Sequence, residues 1–211
     1  MKIVIINGSP RKNGNCETAI KKMAAIFEER QIDVKVLQIG NKKIQGCMAC
    51  NKCAKMQNEM CSIASDKVNE YIKAMKEADG FILASPVYFA GVAGTMKAFL
   101  DRVFYVSAVN GNLFRHKVGT AFVALRRSGG ISTLNELNHY LSFSEMFIAT
   151  SNYWNIGHGR EPGEISNDTE ANQIIRILAQ NMVSLLRMLE YGKKEGILSE
   201  NEEKIFTNFI R

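Results

Sequence analysis

Four of the five cysteines lie within fifteen residues, Cys47, Cys50, Cys53 and Cys61, in a C-x2-C-x2-C-x7-C spacing. Three thiolates at i, i+3 and i+6 can converge on one metal centre if the loop wraps it. A compact C-x2-C-x2-C with a distal fourth cysteine is one way to ligate a [4Fe–4S] cluster. Two other readings stand beside it: a structural zinc site, although zinc loops more often pair two separated C-x2-C knuckles, and free, redox-labile thiols without metal. No proline flanks the motif, and Gln57, Asn58 and Glu59 make the gap before Cys61 polar, so the fourth thiol is expected on a mobile segment. In a chain with no export signal, such a group points to metal or redox chemistry rather than to disulfides.

Three further segments have the composition of ligand loops. Residues 8–16, Gly-Ser-Pro-Arg-Lys-Asn-Gly-Asn-Cys, follow a strand-like run and open a helix-like one. Backbone N–H groups at a helix start can face an anion, and the helix dipole favours negative charge there. Ser9 and Asn15 add donors and Arg11 adds a cation. Neither the nucleoside-triphosphate P-loop nor the G-x-G-x-x-G fingerprint is present, so the segment reads as a phosphate loop of another kind, or as an ordinary capped turn. Residues 85–91, Ser-Pro-Val-Tyr-Phe-Ala-Gly, place a proline bend and two aromatics after a strand. A flat ring could lie against Tyr88 and Phe89, or the pair could plug the core. Residues 126–130, Arg-Arg-Ser-Gly-Gly, combine close backbone approach with positive charge, or form a basic surface turn.

These loops need elements to position them. Ile3–Ile6 is a short run of β-branched residues that reads as a strand buried on both faces. Further strands are expected at 34–39, 81–84, 118–125 and 146–149. Helices are expected at about 16–30, 66–77, from Met96 onward, around Leu134–Leu141 and at about 170–190. Residues 46–62 form the cysteine loop and 151–168 a long polar loop. Ile205, Phe206, Phe209 and Ile210 suggest a short closing helix. Five alternations of strand and helix predict an α/β fold, an open parallel five-stranded sheet covered on both faces. In such sheets ligands bind beyond the strand C-terminal ends, at the switch point of strand order. The loops after the first, third and fourth strands should therefore meet. The expected organisation is one domain over 1–190, with the cysteine loop inserted and a C-terminal helical extension over 191–211.

Together, GSPRKNGN at 8–15, SPVYFAGVAGTMKAFLDR at 85–102, RRSGG at 126–130 and GREPGE at 159–164 resemble the flavodoxin-like NADPH-dependent FMN reductases, and most of all their iron–sulfur flavoprotein branch. The resemblance runs from Met1 to about Glu190. It implies a doubly wound flavodoxin-like fold and one FMN per subunit. By position, Ser9, Arg11 and Asn15 would hold the FMN phosphate, with Cys16 contributing its backbone N–H where relatives commonly carry threonine. Pro86, Val87, Tyr88 and Phe89 would flank the isoalloxazine, and Arg127, Ser128, Gly129 and Gly130 would line its other edge. Cys47, Cys50, Cys53 and Cys61 would be the ligands of a [4Fe–4S] cluster. NAD(P)H is the implied co-substrate, with a ferredoxin as the other donor, and the chain is implied to be a homodimer or homotetramer. Tyr153 and Trp154, in the long loop, could cover a neighbouring subunit's flavin.

With 211 residues, 46% hydrophobic and 23% charged, the chain is an ordinary globular protein rather than a disordered one. No apolar stretch reaches the ~18 residues of a membrane span, and the first residues lack a secretory pattern, so cytoplasmic location is expected. Net charge is +6, all of it within residues 1–60. The basic residues are scattered and not interleaved with aromatics, so no nucleic-acid partner is expected, whereas a small anionic cofactor fits. His116, His139 and His158 are dispersed and sit in no catalytic motif. The flavin itself would carry the reaction, and no protein acid or base is named. The favoured reading is an FMN-dependent oxidoreductase passing electrons from NAD(P)H or ferredoxin to a flavin, quinone or other small acceptor. The alternative is an electron carrier with FMN and [4Fe–4S], against which the basic charge counts. A non-redox protein built around a zinc loop is a third reading.

Overall fold

The computed structural model describes residues 1–207, 209 and 210. The strands are β1 (Lys2–Asn7), β2 (Asp33–Gln38), β3 (Gly80–Tyr88), β4 (Gly91–Val92), β5 (Val118–Leu125), β6 (Phe147–Ile148) and β7 (Ile156–His158). The helices are α1 (Asn15–Glu29), α2 (Lys52–Met56), α3 (Val68–Glu77), α4 (Gly94–Val109), α5 (Gly130–Phe143) and α6 (Thr169–Lys194). A 3₁₀ turn spans Glu164–Asn167.

The parallel sheet has the order β2-β1-β3-β5-β6, the doubly wound flavodoxin-like arrangement expected from the alternation of elements. Successive side chains of a strand point to opposite faces, and this sorts the core into two layers. Val4, Ile6, Phe81, Leu83, Ala121 and Val123 join α3, α4 and α5 on one face. Ile3, Ile5, Ile82, Ala84, Phe122 and Ala124 join α1 and α6 on the other. The continuous apolar runs in the sequence follow from this double burial.

Four segments depart from the expected pattern. Residues 85–92 are not a plain loop: β3 runs on to Tyr88 and turns back through β4, with Val87 opposite Val92 and Tyr88 opposite Gly91. Nor is the 151–168 stretch without structure. Its strand β7 lies parallel to β5, with Val123 opposite Ile156 and Leu125 opposite His158. The outer edge of β5 is thus covered in two pieces, by β6 near its start and by β7 near its end. A three-residue strand containing a glycine has no periodicity to read. Within the cysteine loop α2 forms one short helical turn. Finally, α6 continues to Lys194, and residues 201–207 carry no helix, so the short closing helix does not form there. Asn208 and Arg211, which belong to the expected 191–211 extension, lie outside the described residues.

Candidate functional site

At the C-terminal edge of β1 the chain leaves the sheet through a tightly tethered turn. The Gly8 N–H donates to the Ala84 carbonyl at 2.8 Å, which ties the loop after β1 to the end of β3. The Ser9 N–H donates to Asn7 Oδ1 at 3.0 Å, and the Arg11 N–H donates to Ser9 Oγ at 3.3 Å. Asn7 is buried and donates through Nδ2 to Gln38 Oε1 at 2.7 Å, while Gln38 Nε2 donates to the Ser9 carbonyl at 2.7 Å. Two amides at the ends of β1 and β2, facing each other in register, therefore shape the loop. Gly40 completes the support: a Cβ there would stand 2.3 Å from the Ser9 carbonyl carbon and 2.4 Å from the Gly8 oxygen. Asn7, Gln38 and Gly40 were not among the expected site residues, and the signal for the two amides is a polar residue closing each strand.

Helix α1 then begins at Asn15 after Gly14, with no side chain capping it. Its first N–H groups are left for another acceptor, an arrangement that suits an anion. Of the four expected phosphate residues, Ser9 is buried in the turn and Arg11 is exposed beside it. Asn15 has a second task. Its Nδ2 donates to the Gly159 carbonyl at 2.9 Å and its Oδ1 accepts from the Ile165 N–H at 3.1 Å. It clamps the 159–165 segment onto the start of α1. Cys16 points into the core, and desolvation pushes its thiol up to about 12, so only its backbone can face a ligand.

The β3–β4 turn and the 126–130 loop meet beside this site. Phe89 and Ala90 both adopt positive φ, 49° and 60°, a two-residue turn normally given to Asn and Gly. Phe89 is fully exposed at its tip and Tyr88 is partly exposed, so neither plugs the core. Pro86 and Val87 are half-buried at the base. Gly129 has φ +90°, and a Cβ on it would stand 2.6 Å from Ala90 Cα. Ser132 Oγ donates to the Ala90 carbonyl at 2.7 Å. Arg127, Ser128, Gly129 and Gly130 line a cleft of about 590 Å³ together with Tyr153 and Trp154. Those two rings pack edge to face at 4.4 Å, against the cleft of their own chain. The structure thus brings the three loops to one edge of the sheet, with Tyr88 and Phe89 on the outer side of Gly129 rather than lining that cleft.

All four clustered cysteines line a second, small cavity of about 20 Å³ with Ser62, Arg102 and Tyr105. That is room for about one water. Cys47 and Cys50 are its exposed wall, while Cys53 is buried and Cys61 half-buried. Among the described residues no three His, Cys, Asp or Glu side chains converge tightly enough for a single metal ion. A four-iron cluster needs its ligands spread more widely than one ion does, and an all-thiolate donor set suits it.

Four non-glycine residues of the loop, Ala49, Asn51, Gln57 and Glu59, have positive φ. The loop is held by contacts to α3, to α4 and to Asn110 just past it. Tyr105 Oη donates to Asn51 Oδ1 at 2.5 Å, Gln57 Nε2 donates to the Val109 carbonyl at 2.6 Å, and the Glu59 N–H donates to Asn110 Oδ1 at 2.9 Å. The Cys61 backbone is gripped at both ends by the Asn69 amide, at 2.8 and 3.0 Å. The polar gap does not leave the fourth thiol loose, as its composition suggested. The Ser62 hydroxyl, first, and the Lys52 backbone N–H hold the Cys50 thiol below its ordinary range, while burial raises that of Cys53.

The histidines stay apart from one another, His116 beside Phe147 and His158 beside Asp168.

The family model for NADPH-dependent FMN reductase matches residues 1–161. An iron-sulfur flavoprotein of Methanocaldococcus jannaschii is 31% identical over 197 residues, covering 90% of this chain and 100% of the relative. One from Methanosarcina thermophila is 31% identical over 195 residues, covering 92% and 99%. Among solved structures, RosB with a bound 8-demethyl-8-formylriboflavin-5'-phosphate intermediate superposes with a TM-score of 0.72 at 17% identity, covering 100% of this chain and 92% of that one. At that identity the likeness shows the fold alone.

Proposed function

Because the chain belongs to the NADPH-dependent FMN reductase family, in its iron–sulfur flavoprotein branch, we propose that this flavin oxidoreductase binds FMN and passes electrons from NAD(P)H or a ferredoxin to a flavin, quinone or other small acceptor. The observation that carries the reading is the uncapped start of α1 at the β1/β3 switch point, where three loops converge.

Bound FMN supplies the redox chemistry. The chain supplies the seat. The N–H groups that open α1 and the Arg11 guanidinium meet the phosphate, and the Ser9 turn fixes their direction. Pro86 and Val87 form the floor beneath the ring, and Tyr88 and Phe89 form a rim. Backbone at Arg127–Gly130 reaches the ring's edge, where the absence of a side chain on Gly129 allows close approach. Tyr153 and Trp154 shield the site from water, from their own chain or from a neighbouring copy in a homodimer or homotetramer. Cys47, Cys50, Cys53 and Cys61 hold a [4Fe–4S] cluster in this reading, and their shared cavity supports it. The same cavity supports the second reading, an electron carrier that uses both groups. Among the described residues no helix is long and apolar enough to cross a membrane; a cytoplasmic location is part of the proposal.

The test is to purify the protein without oxygen, record its absorption spectrum, and assay iron, labile sulfide and FMN per chain. NADPH, NADH and a reduced ferredoxin are then offered in turn. Flavin bands over a broad brown absorption, with reduction by one of these donors and oxidation by a quinone, are expected. Failure to take up added FMN would overturn the reading. Reduction without turnover of any small acceptor would favour the carrier.

A further inference from the structure

Among the described residues Arg102 is the largest fully buried side chain, 1% exposed. A buried guanidinium is retained where its charge and its donors are all matched. Here most of them are matched by residues that flank the cysteine loop and by one residue within it. Nη1 donates to the Gln45 carbonyl at 3.2 Å and pairs with the Asp66 carboxylate, and Nη2 donates to the Ile63 carbonyl at 2.9 Å. Gln45 lies just before the loop, and Ile63 and Asp66 just after it. One side chain of α4 therefore draws the two ends of the loop together.

The Nε donor is the informative one. Nε donates to Cys61 Sγ at 3.3 Å. Neutral sulfur is a weak acceptor, so a purely structural arginine at this depth gains little from such a bond. A thiolate is a strong acceptor from a guanidinium. Asp66 balances the arginine charge, so the sulfur receives an oriented N–H rather than a net positive site.

We propose that Arg102 is the positioning residue of the cysteine site: it closes the loop and hydrogen-bonds the Cys61 thiolate as a cluster ligand, which raises the reduction potential of the cluster. The inference rests on the cluster reading given above. Hydrogen bonds to ligand sulfur stabilise the more negative, reduced state, and partners of this kind both orient the ligand and tune the metal.

The test compares the anaerobically purified wild type with Arg102→Lys, which keeps the charge and loses the fork. FMN content, iron and labile sulfide per chain, and the cluster midpoint potential are measured. With FMN content unchanged, the lysine variant should show at least a tenfold lower ratio of reduced to oxidised cluster at a fixed potential, about 59 mV for a one-electron couple. An equal midpoint at full iron loading would overturn the inference alone. A wild type without iron and labile sulfide would overturn the cluster reading and this inference with it. Should the variant lose its iron or fail to fold, the wild type decides: with ¹⁵N-labelled arginine, the reduced cluster should show a nitrogen hyperfine coupling from one arginine. Absence of that coupling would overturn the inference.

Discussion

At the scale of single residues, environment separates side chains that the sequence presents as equals. Cys16 is sealed beneath the loop after β1, and desolvation lifts its thiol to about 12. Cys50 is exposed, and the Ser62 hydroxyl holds its thiol below the ordinary range. Since the thiolate is the reactive form, iodoacetamide at neutral pH should label Cys50 in metal-free folded protein at least ~10-fold faster than Cys16, read by peptide mass mapping. Equal rates would contradict the assigned environments. In the proposed function Arg11 is the side-chain cation that meets the FMN phosphate. Arg11→Ala should weaken FMN binding roughly 10-fold, about 1.4 kcal/mol, measured by flavin fluorescence titration. The cysteine spacing and the Ser9–Arg11 pair were legible in the sequence because local motifs carry their chemistry in a few adjacent positions. Asn15 was legible as a polar residue of the loop but not as the clamp on Gly159 and Ile165, because its partners lie about 150 residues away in the chain.

Elements show the same division. Strand–helix alternation foretold the sheet and the placement of its loops, since double burial leaves continuous apolar runs. The β3–β4 turn and β7 escaped because two or three residues hold no period, and each is fixed by a neighbour rather than by its own composition. The turn after β1 is likewise fixed by a neighbour, Gly40. Gly40→Ala should displace the Gly8–Ser9 turn and reduce FMN affinity while the far-UV circular dichroism stays native, because the added carbon meets backbone rather than a movable side chain. At the start of α6, Asp168 accepts from the Ala171 N–H and the His158 N–H, both at 2.9 Å. Burial alone would raise its pKa, but these bonds and the nearby His158 hold the carboxyl below its ordinary 3.8. Its contribution to stability is therefore present above about pH 4 and lost as pH falls through the lowered native value. Asp168→Ala should cost about 1–2 kcal/mol in urea unfolding at pH 7, with the difference from wild type shrinking below pH 4. A constant difference across that range would contradict the capping role.

On the scale of the whole molecule, the two core layers and the cofactor seat are joined through β1, β3 and β5, so occupancy of the seat should stabilise the entire domain. FMN at ~100 times its dissociation constant should add about 2.7 kcal/mol, a rise in melting temperature of roughly 5–10 °C for a chain of this size. Scanning calorimetry with and without FMN measures it, and an unchanged melting temperature would mean that the flavin does not bind the native seat. The sequence by itself determined the fold class, the family and the identity of the loops that meet at the switch point. Hydrophobic periodicity and short motifs are local, and they survive in one dimension. Only the tertiary structure decided how those loops are held. Arg102 joins Gln45 to Asp66, Gly40 presses on Ser9, and Gly129 lies against Ala90. Such contacts depend on distances between residues far apart in the chain, and no spacing along the chain encodes them.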